Sequence, residues 1–172
     1  VIIGLTGVGG LFTEKAIKTM SAHCERPIIF PLSNPTDKAE CTAENAYRWS
    51  KGKCIYASGS PFEPVEYDGI THLPAQSNNM YTYPGLGLGP LAGDCKHITD
   101  SMLNAAAIAL VDSTTEEHHK QGRIFPRVRE IPALSKNVAL AVAQQAYKDR
   151  VVNYVYKKDD EELMTLINDR YW

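Results

Sequence analysis

The chain has no apolar run near the roughly 18 residues that a membrane-spanning helix requires. Its longest candidate, residues 98–111, is broken by Thr99, Asp100, Ser101 and Asn104, so no membrane role is expected. A basic leader with an apolar stretch and a small-residue cleavage site is also missing, and no secretory signal is read at the start. An excess of one charge is absent: 18 Lys and Arg face 20 Asp and Glu, a formal charge of -2 that gives no basis for a nucleic-acid partner. The four cysteines, Cys24, Cys41, Cys54 and Cys95, lie 17, 13 and 41 residues apart without a C-x-x-C pair. A zinc knuckle or thioredoxin-like motif is therefore not expected, and the thiols are read as reduced packing residues. No segment repeats at a solenoid period, and no G-x-S-x-G elbow organises Ser, His and Asp into a hydrolase triad.

What is present is 172 residues, 44% of them hydrophobic, enough for one respectable core in a compact domain or in a piece of a larger one. Residues 1–6, VIIGLT, form a continuous apolar run of the kind buried on both faces of a parallel sheet. The glycines Gly7, Gly9 and Gly10 follow, then a helical stretch from about Leu11 to Cys24 with Ala16, Ile17 and Met20 on one face. A second run, 27–33, ends in Asn34-Pro35-Thr36-Asp37; Thr42 can cap the next helix, with Glu44 in its first turn. A third run, 54–60, enters a Gly/Ser/Pro turn. Strands alternating with helices indicate a parallel sheet with right-handed crossovers, one half of a doubly wound α/β fold. The uncovered first strand suggests chain upstream of Val1.

Residues 65–73 carry an Asp68-Gly69 turn and predict a small hairpin. Residues 74–93, rich in Gly and Pro, predict an irregular passage that lines a site or makes a specialised connection. The last third is helical. A first long helix has Ile98, Met102, Ala105, Ala106, Ala109 and Leu110 on one face. A short second helix is capped by Thr114 and Glu117 and ends near Gly122. A third starts near Pro132 with Leu134, Val138, Ala141 and Val142 at core spacing, and a short terminal helix includes Leu163, Leu166 and Ile167.

Several clusters suit chemistry, each with a plainer alternative. The Gly7 to Gly10 turn can present N–H groups to a phosphate, or it is a tight packing turn. It does not complete G-x-G-x-x-G, because Phe12 stands at the last position, and no acidic ribose-binding residue follows about 20 positions on. Asn34, at the carboxyl end of an apolar strand, can orient a ribose hydroxyl or a carboxylate, or it serves an Asn-Pro turn. Ser58, Gly59 and Ser60 occupy the equivalent end of the next strand and suit ligand contact and turn formation equally. Asn78 and Asn79 are adjacent amides that need partners if buried, either in a site or in an Asn-rich turn. Gly85, Gly87 and Gly89 permit close backbone approach to that site or simple packing. His118 and His119 point about 100° apart on a helix and read as surface residues. Asp94, His97 and Asp100 suggest a metal or acid/base cluster, with a capped helix terminus as the plainer reading.

The passages ERPIIFPLSNPTDKAECTAENAY (25–47), YASGSPFEPV (56–65) and SNNMYTYPGLGLG (77–89) closely resemble the C-terminal half of malic enzymes, as do the helices at 98–111 and 131–147. The resemblance implies a partial Rossmann-type parallel sheet followed by a C-terminal helical region. It divides the chain into 1–95, the C-terminal half of an NAD(P)-binding domain with active-site loops, and 96–172, a helical region packing on it. It implies oxidative decarboxylation of L-malate to pyruvate and CO2 with NAD or NADP and with Mg²⁺ or Mn²⁺. Asn34 matches the asparagine of the S-N-P-T turn and Asn79 the second of the N-N pair near nicotinamide and malate. Asn34, Asn78, Asn79, Ser58, Gly59, Ser60, Gly7 and Gly9 are the implied cofactor-side residues, with Asn34 and Asn79 also facing substrate.

The family's catalytic tyrosine and lysine, its three acidic metal ligands and its first dinucleotide fingerprint have no matching motif here, and Tyr81, Lys96 and Asp94 do not inherit those roles. The 172 residues alone are therefore expected to give no turnover. The metal is expected on residues outside this chain, and upstream malic-enzyme segments are the expected partner. A homodimer or homotetramer is implied for the complete enzyme. The compartment stays open among cytosol, mitochondrial matrix and plastid, with the cytoplasm favoured. Other classes remain: a noncatalytic nucleotide-binding module, or a structural or oligomerisation fragment.

Overall fold

The structure is a computed structural model that describes residues 1–120, 122–153 and 158–171. The chain divides into two compact units, one of Val1–Asn78 with Glu116–Phe125, the other of Asn79–Thr115 with Pro126–Trp172.

The first unit is built on β1 (Ile2–Gly4), β2 (Ile28–Pro31), β3 (Ile55–Ser58) and β6 (Ala75–Gln76), all parallel in the order β1-β2-β3-β6. The register places Ile2 against Ile29, Ile28 against Ile55 and Ala57 against Ala75. Two helices connect the first three strands. In α1 (Glu14–His23), the Thr13 hydroxyl accepts from the Ala16 N–H, so the helix starts three residues later than the sequence suggested and Leu11 stays outside it, exposed. In α2 (Ala43–Trp49), Thr42 is the expected cap and accepts from the Asn45 N–H. The helices bury Ile17, Ala43, Ala46 and Tyr47 with Ile29 and Tyr56 of the sheet.

The expected hairpin forms from β4 (Val65–Tyr67) and β5 (Ile70–His72), turning on Asp68 and Gly69 at φ +52° and +73°. The fourth strand, β6, was not foreseen, because two residues carry no period. β1 is the edge of the four-stranded sheet, and Ile3 and Leu5 are exposed, which is the uncovered first strand read from the sequence. The short helix α5 (Glu116–Lys120) belongs to this unit. Its His118 is buried and His119 exposed, correcting the reading of both as surface residues.

The second unit is helical, with α3 (Tyr83–Gly93), α4 (Asp100–Asp112), α6 (Ile131–Lys148) and α7 (Asp160–Arg170). The passage 74–93 is thus largely ordered, with a 3-10 turn at Asn79–Tyr81 and an eleven-residue helix in place of the irregular segment. Pro84 sits in its first turn, where no N–H partner is lost. Gly85 and Gly89 share one face, and a Cβ on Gly85 would stand 2.6 Å from the Ser135 carbonyl oxygen and the Val138 Cβ, both on α6. These glycines let two helices approach closely. Packing against Val138 and Val142 overrides the poor helix propensity of glycine.

The remaining helices bear out most sequence assignments. Met102 and Ala106 are the buried residues of α4, while Ile98 precedes the helix and is exposed. Leu134, Val138 and Val142 are buried on α6, and Leu163 and Ile167 on α7. No helix among the described residues is long and apolar enough to cross a membrane.

Candidate active-site face at the strand ends

Because β1, β2 and β3 are parallel, their carboxyl ends bring three turns to one edge of the first unit. The ladder continues into those turns: Leu32 N–H donates to the Gly4 carbonyl at 2.9 Å, Gly59 N–H to Pro31 at 3.3 Å and Ser77 N–H to Ser58 at 2.8 Å. The S-N-P-T turn, with a cis Asn34–Pro35 peptide, is joined to the A-S-G-S turn by the Ser60 hydroxyl, which donates to Asn34 Oδ1 at 2.5 Å. Asn34 is exposed, and its Nδ2 donates to the Leu32 carbonyl at 3.5 Å. Gly59 is obligatory here, since a Cβ would run into the Leu32 carbonyl oxygen and the Asn34 amide.

The other candidates fall into distinct roles. Ser58 is fully buried, and its hydroxyl donates to the Ser60 carbonyl at 2.9 Å, closing the turn from within. Asn78 Nδ2 donates to the Gly59 carbonyl at 3.3 Å, as does Gln76 Nε2 at 3.2 Å, so β6 braces the same turn. Gly7 N–H donates to the Ser33 hydroxyl at 2.9 Å, tying the first turn to the second. Gly9 is packed so closely on the Asp37 carbonyl that it has no room for a Cβ. Asn79 lies in the second unit, exposed, with its carbonyl accepting from Thr82 N–H at 3.0 Å.

Sequence reasoning missed Glu40. It lies between β2 and α2, fully buried, and its Oε1 accepts from Thr6 N–H at 2.9 Å, Thr6 Oγ1 at 2.7 Å and Ser33 Oγ at 2.5 Å. Oε2 is 3.4 Å from Ser33 N. Burial alone would push this carboxyl up, but the bonds from Ser33 and Thr6 outweigh it and bring the pKa from 4.5 down to about 2. Gly4 on β1 leaves the space that the Glu40 carboxylate fills. The signal available in the sequence was a lone acid between the small residues Ala39 and Cys41, after a strand end already marked as ligand-facing.

Two other clusters resolve differently. Asp94 is the left-handed C-cap of α3, whereas Asp100 opens α4 behind its cap Thr99, so they do not share a helix face with His97; the capped terminus is what forms. No group of three or more His, Cys, Asp and Glu side chains able to hold a metal ion occurs among the described residues. Of the thiols, Cys41 and Cys54 are buried and pushed up by that burial to about 12 and about 11, while Cys24 is exposed and does not pack.

Residues 1–147 match the family model described as malic enzyme, NAD binding domain. The chain is 49% identical over 148 residues to an NADP-dependent malic enzyme of Dictyostelium discoideum, covering 86% of this chain and 27% of that protein. It is 42% identical over all 172 residues to an NAD-dependent malic enzyme of Shewanella piezotolerans, of which it covers 30%. Among solved structures, the Entamoeba histolytica malic enzyme superposes with a TM-score of 0.77 at 26% identity, over 96% of this chain and 30% of the other. The Pyrococcus horikoshii malic enzyme gives 0.74 at 28% identity, over 97% and 34%. The chain therefore spans about a third or less of the length of the relatives it matches.

Proposed function

Because the chain belongs to the malic enzyme family, in its NAD-binding domain, we propose that it carries the nicotinamide-side part of an enzyme that oxidises and decarboxylates L-malate to pyruvate with NAD(P). The observation that supports this most is the joining of turns from adjacent parallel strands by the Ser60 to Asn34 hydrogen bond, at the sheet end where open α/β folds take ligands.

The residues present fit a dinucleotide. In the Gly7–Gly10 turn and the residues leading to α1, the N–H groups of Gly9 and Leu11 make no hydrogen bond among the described residues, in a turn shaped by the positive φ of Gly7 and Gly10. The Asn34 amide, with Oδ1 held by Ser60 and one Nδ2 hydrogen toward the Leu32 carbonyl, has its second Nδ2 hydrogen for an acceptor on the ligand, a carboxylate or a carboxamide oxygen. A bound dinucleotide supplies the hydride acceptor.

What the chain contributes is orientation. Asn34 is a neutral amide that does not titrate near neutral pH, so it holds a carboxylate without altering its charge or taking its proton. Ser60 restricts the Asn34 amide to one orientation, which lowers the entropy cost of positioning the substrate. Proton transfer and metal binding are assigned to residues outside these 172.

Calorimetric titration of the chain with NAD⁺ and NADP⁺ tests the reading. Asn34→Ala should weaken binding by about tenfold, the loss of one good hydrogen bond. Equal affinity in the variant would remove Asn34 from the site. NAD(P)H production by the 172 residues alone with L-malate and Mn²⁺ would contradict the division of labour.

A further inference from the structure

We propose that Glu40 is the positioning residue of the dinucleotide-binding turn: its carboxylate orients the Ser33 and Thr6 hydroxyls, and through them fixes the turn that presents the Gly9 and Leu11 N–H groups. The inference rests on the dinucleotide reading above and deepens it.

The argument is an account of donors. Every hydrogen-bond partner of the Glu40 carboxylate among the described residues is a donor: Thr6 N–H, Thr6 Oγ1, Ser33 Oγ and Ser33 N–H. Only an acceptor without hydrogens satisfies all of them, so the position requires an ionised carboxylate. Each hydroxyl has a single hydrogen. Giving it to Glu40 turns the oxygen lone pairs of Ser33 onto Gly7 N–H at 2.9 Å, and those of Thr6 onto Val8 N–H at 3.2 Å. The backbone beside Glu40 completes the grip, with the Ala39 carbonyl accepting from Gly10 N–H at 3.3 Å and the Glu40 carbonyl from Phe12 N–H at 2.9 Å.

The N–H groups of Thr6, Gly7, Val8, Gly10 and Phe12 are thus engaged inside the protein. Those of Gly9 and Leu11 are left for a ligand. A glutamine at position 40 would turn an NH2 group toward one or more of the surrounding donors. The hydroxyl hydrogens would reorient, and Gly7 and Val8 would lose their acceptors while the backbone contacts of Gly10 and Phe12 remained.

The test compares the chain with Glu40→Gln, Ser33→Ala and Ile17→Val, the last a core change in the same unit. Three quantities are measured: NAD⁺ affinity, stability to urea, and hydrogen exchange at individual amides. We expect Glu40→Gln and Ser33→Ala to weaken NAD⁺ binding about tenfold and to speed exchange at Gly7 by about tenfold or more, with Gly10 and Phe12 protected as before. Ile17→Val should lower stability without moving the affinity. If Glu40→Gln does not fold, Ser33→Ala carries the test alone.

Wild-type chain that binds NAD⁺ while the folded polar variants bind it equally well overturns the positioning role and leaves the dinucleotide reading standing. Affinity that falls in Ile17→Val in step with stability makes Glu40 a stability residue only, and overturns the proposal. Wild-type chain that binds neither NAD⁺ nor NADP⁺ sinks both readings.

Discussion

In the first unit, Gly7 and Gly10 stand at φ +69° and +77°, with open space where a Cβ would be. In the second, Gly85 and Gly89 have ordinary helical backbone, and the space of their missing Cβ is taken by α6. The same residue answers two different demands. At the strand ends it supplies a backbone conformation that side chains disfavour, which shapes a turn held by polar contacts around a buried carboxylate. In the helical unit it supplies closeness, and the stabilising terms are the apolar contacts of Val138, Ala139 and Val142. The first unit is therefore sensitive to protonation at Glu40 as well as to volume at Gly9 and Gly59, and the helical unit to volume.

Acid should separate the regions most. The folded Glu40 carboxyl titrates at about 2, below its ordinary 4.5, so the folded state binds the proton less readily than the unfolded one. Its stabilisation is full above about 4.5 and is lost as pH falls through about 2, a contribution of about 3 kcal/mol. Urea unfolding followed from pH 5.5 to 2 should show that loss in the wild type and a flatter dependence in Glu40→Gln.

Volume should act at Gly85. A Cβ there meets the Ser135 carbonyl, which is backbone and cannot rotate away, so Gly85→Ala should cost about 2 kcal/mol. Two substitutions of smaller effect sharpen the contrast. Gly10→Ala has room for its methyl but keeps a positive φ, so it should cost about 1 kcal/mol by strain alone. Gly87→Ala, on the exposed face of α3 with nothing near its Cβ, should gain about 0.5–1 kcal/mol. Denaturant midpoints of the three variants check the order, and a stabilising Gly85→Ala would break the comparison. The smallest effect belongs to the exposed Lys18–Glu14 pair, where Glu14→Ala should change stability by less than about 0.5 kcal/mol in a thermal melt.

These distinctions explain what was legible in the sequence. The Asp68-Gly69 hairpin and the Thr42 cap were readable because their chemistry is local: a turn residue or a hydroxyl acts within three or four positions. The Asn34 and Ser60 turns were readable because strand ends in a parallel sheet face one edge. Helix α3 was not, since Pro84, Gly85, Gly87, Gly89 and Pro90 all argue against a helix and its stability comes from α6, about fifty residues away. Glu40 was hidden for a similar reason. Its partners Thr6 and Ser33 come from two other turns, and an isolated glutamate defaults to a solvated surface acid. Nor did the His118-His119 pair reveal which ring would be buried, because two identical neighbours differ only in the direction the short helix α5 gives them.

The most direct measurement is an NMR titration of the chain with NAD⁺ and with NADP⁺, following backbone amides and the Asn34 side-chain amide. A dinucleotide held at the strand ends predicts saturable shifts at Gly9, Leu11 and Asn34 Nδ2, with the solvent-facing amide of Gly69 at the β4–β5 turn unmoved. Shifts confined to the helices of the second unit, or no shifts with either dinucleotide, would contradict it.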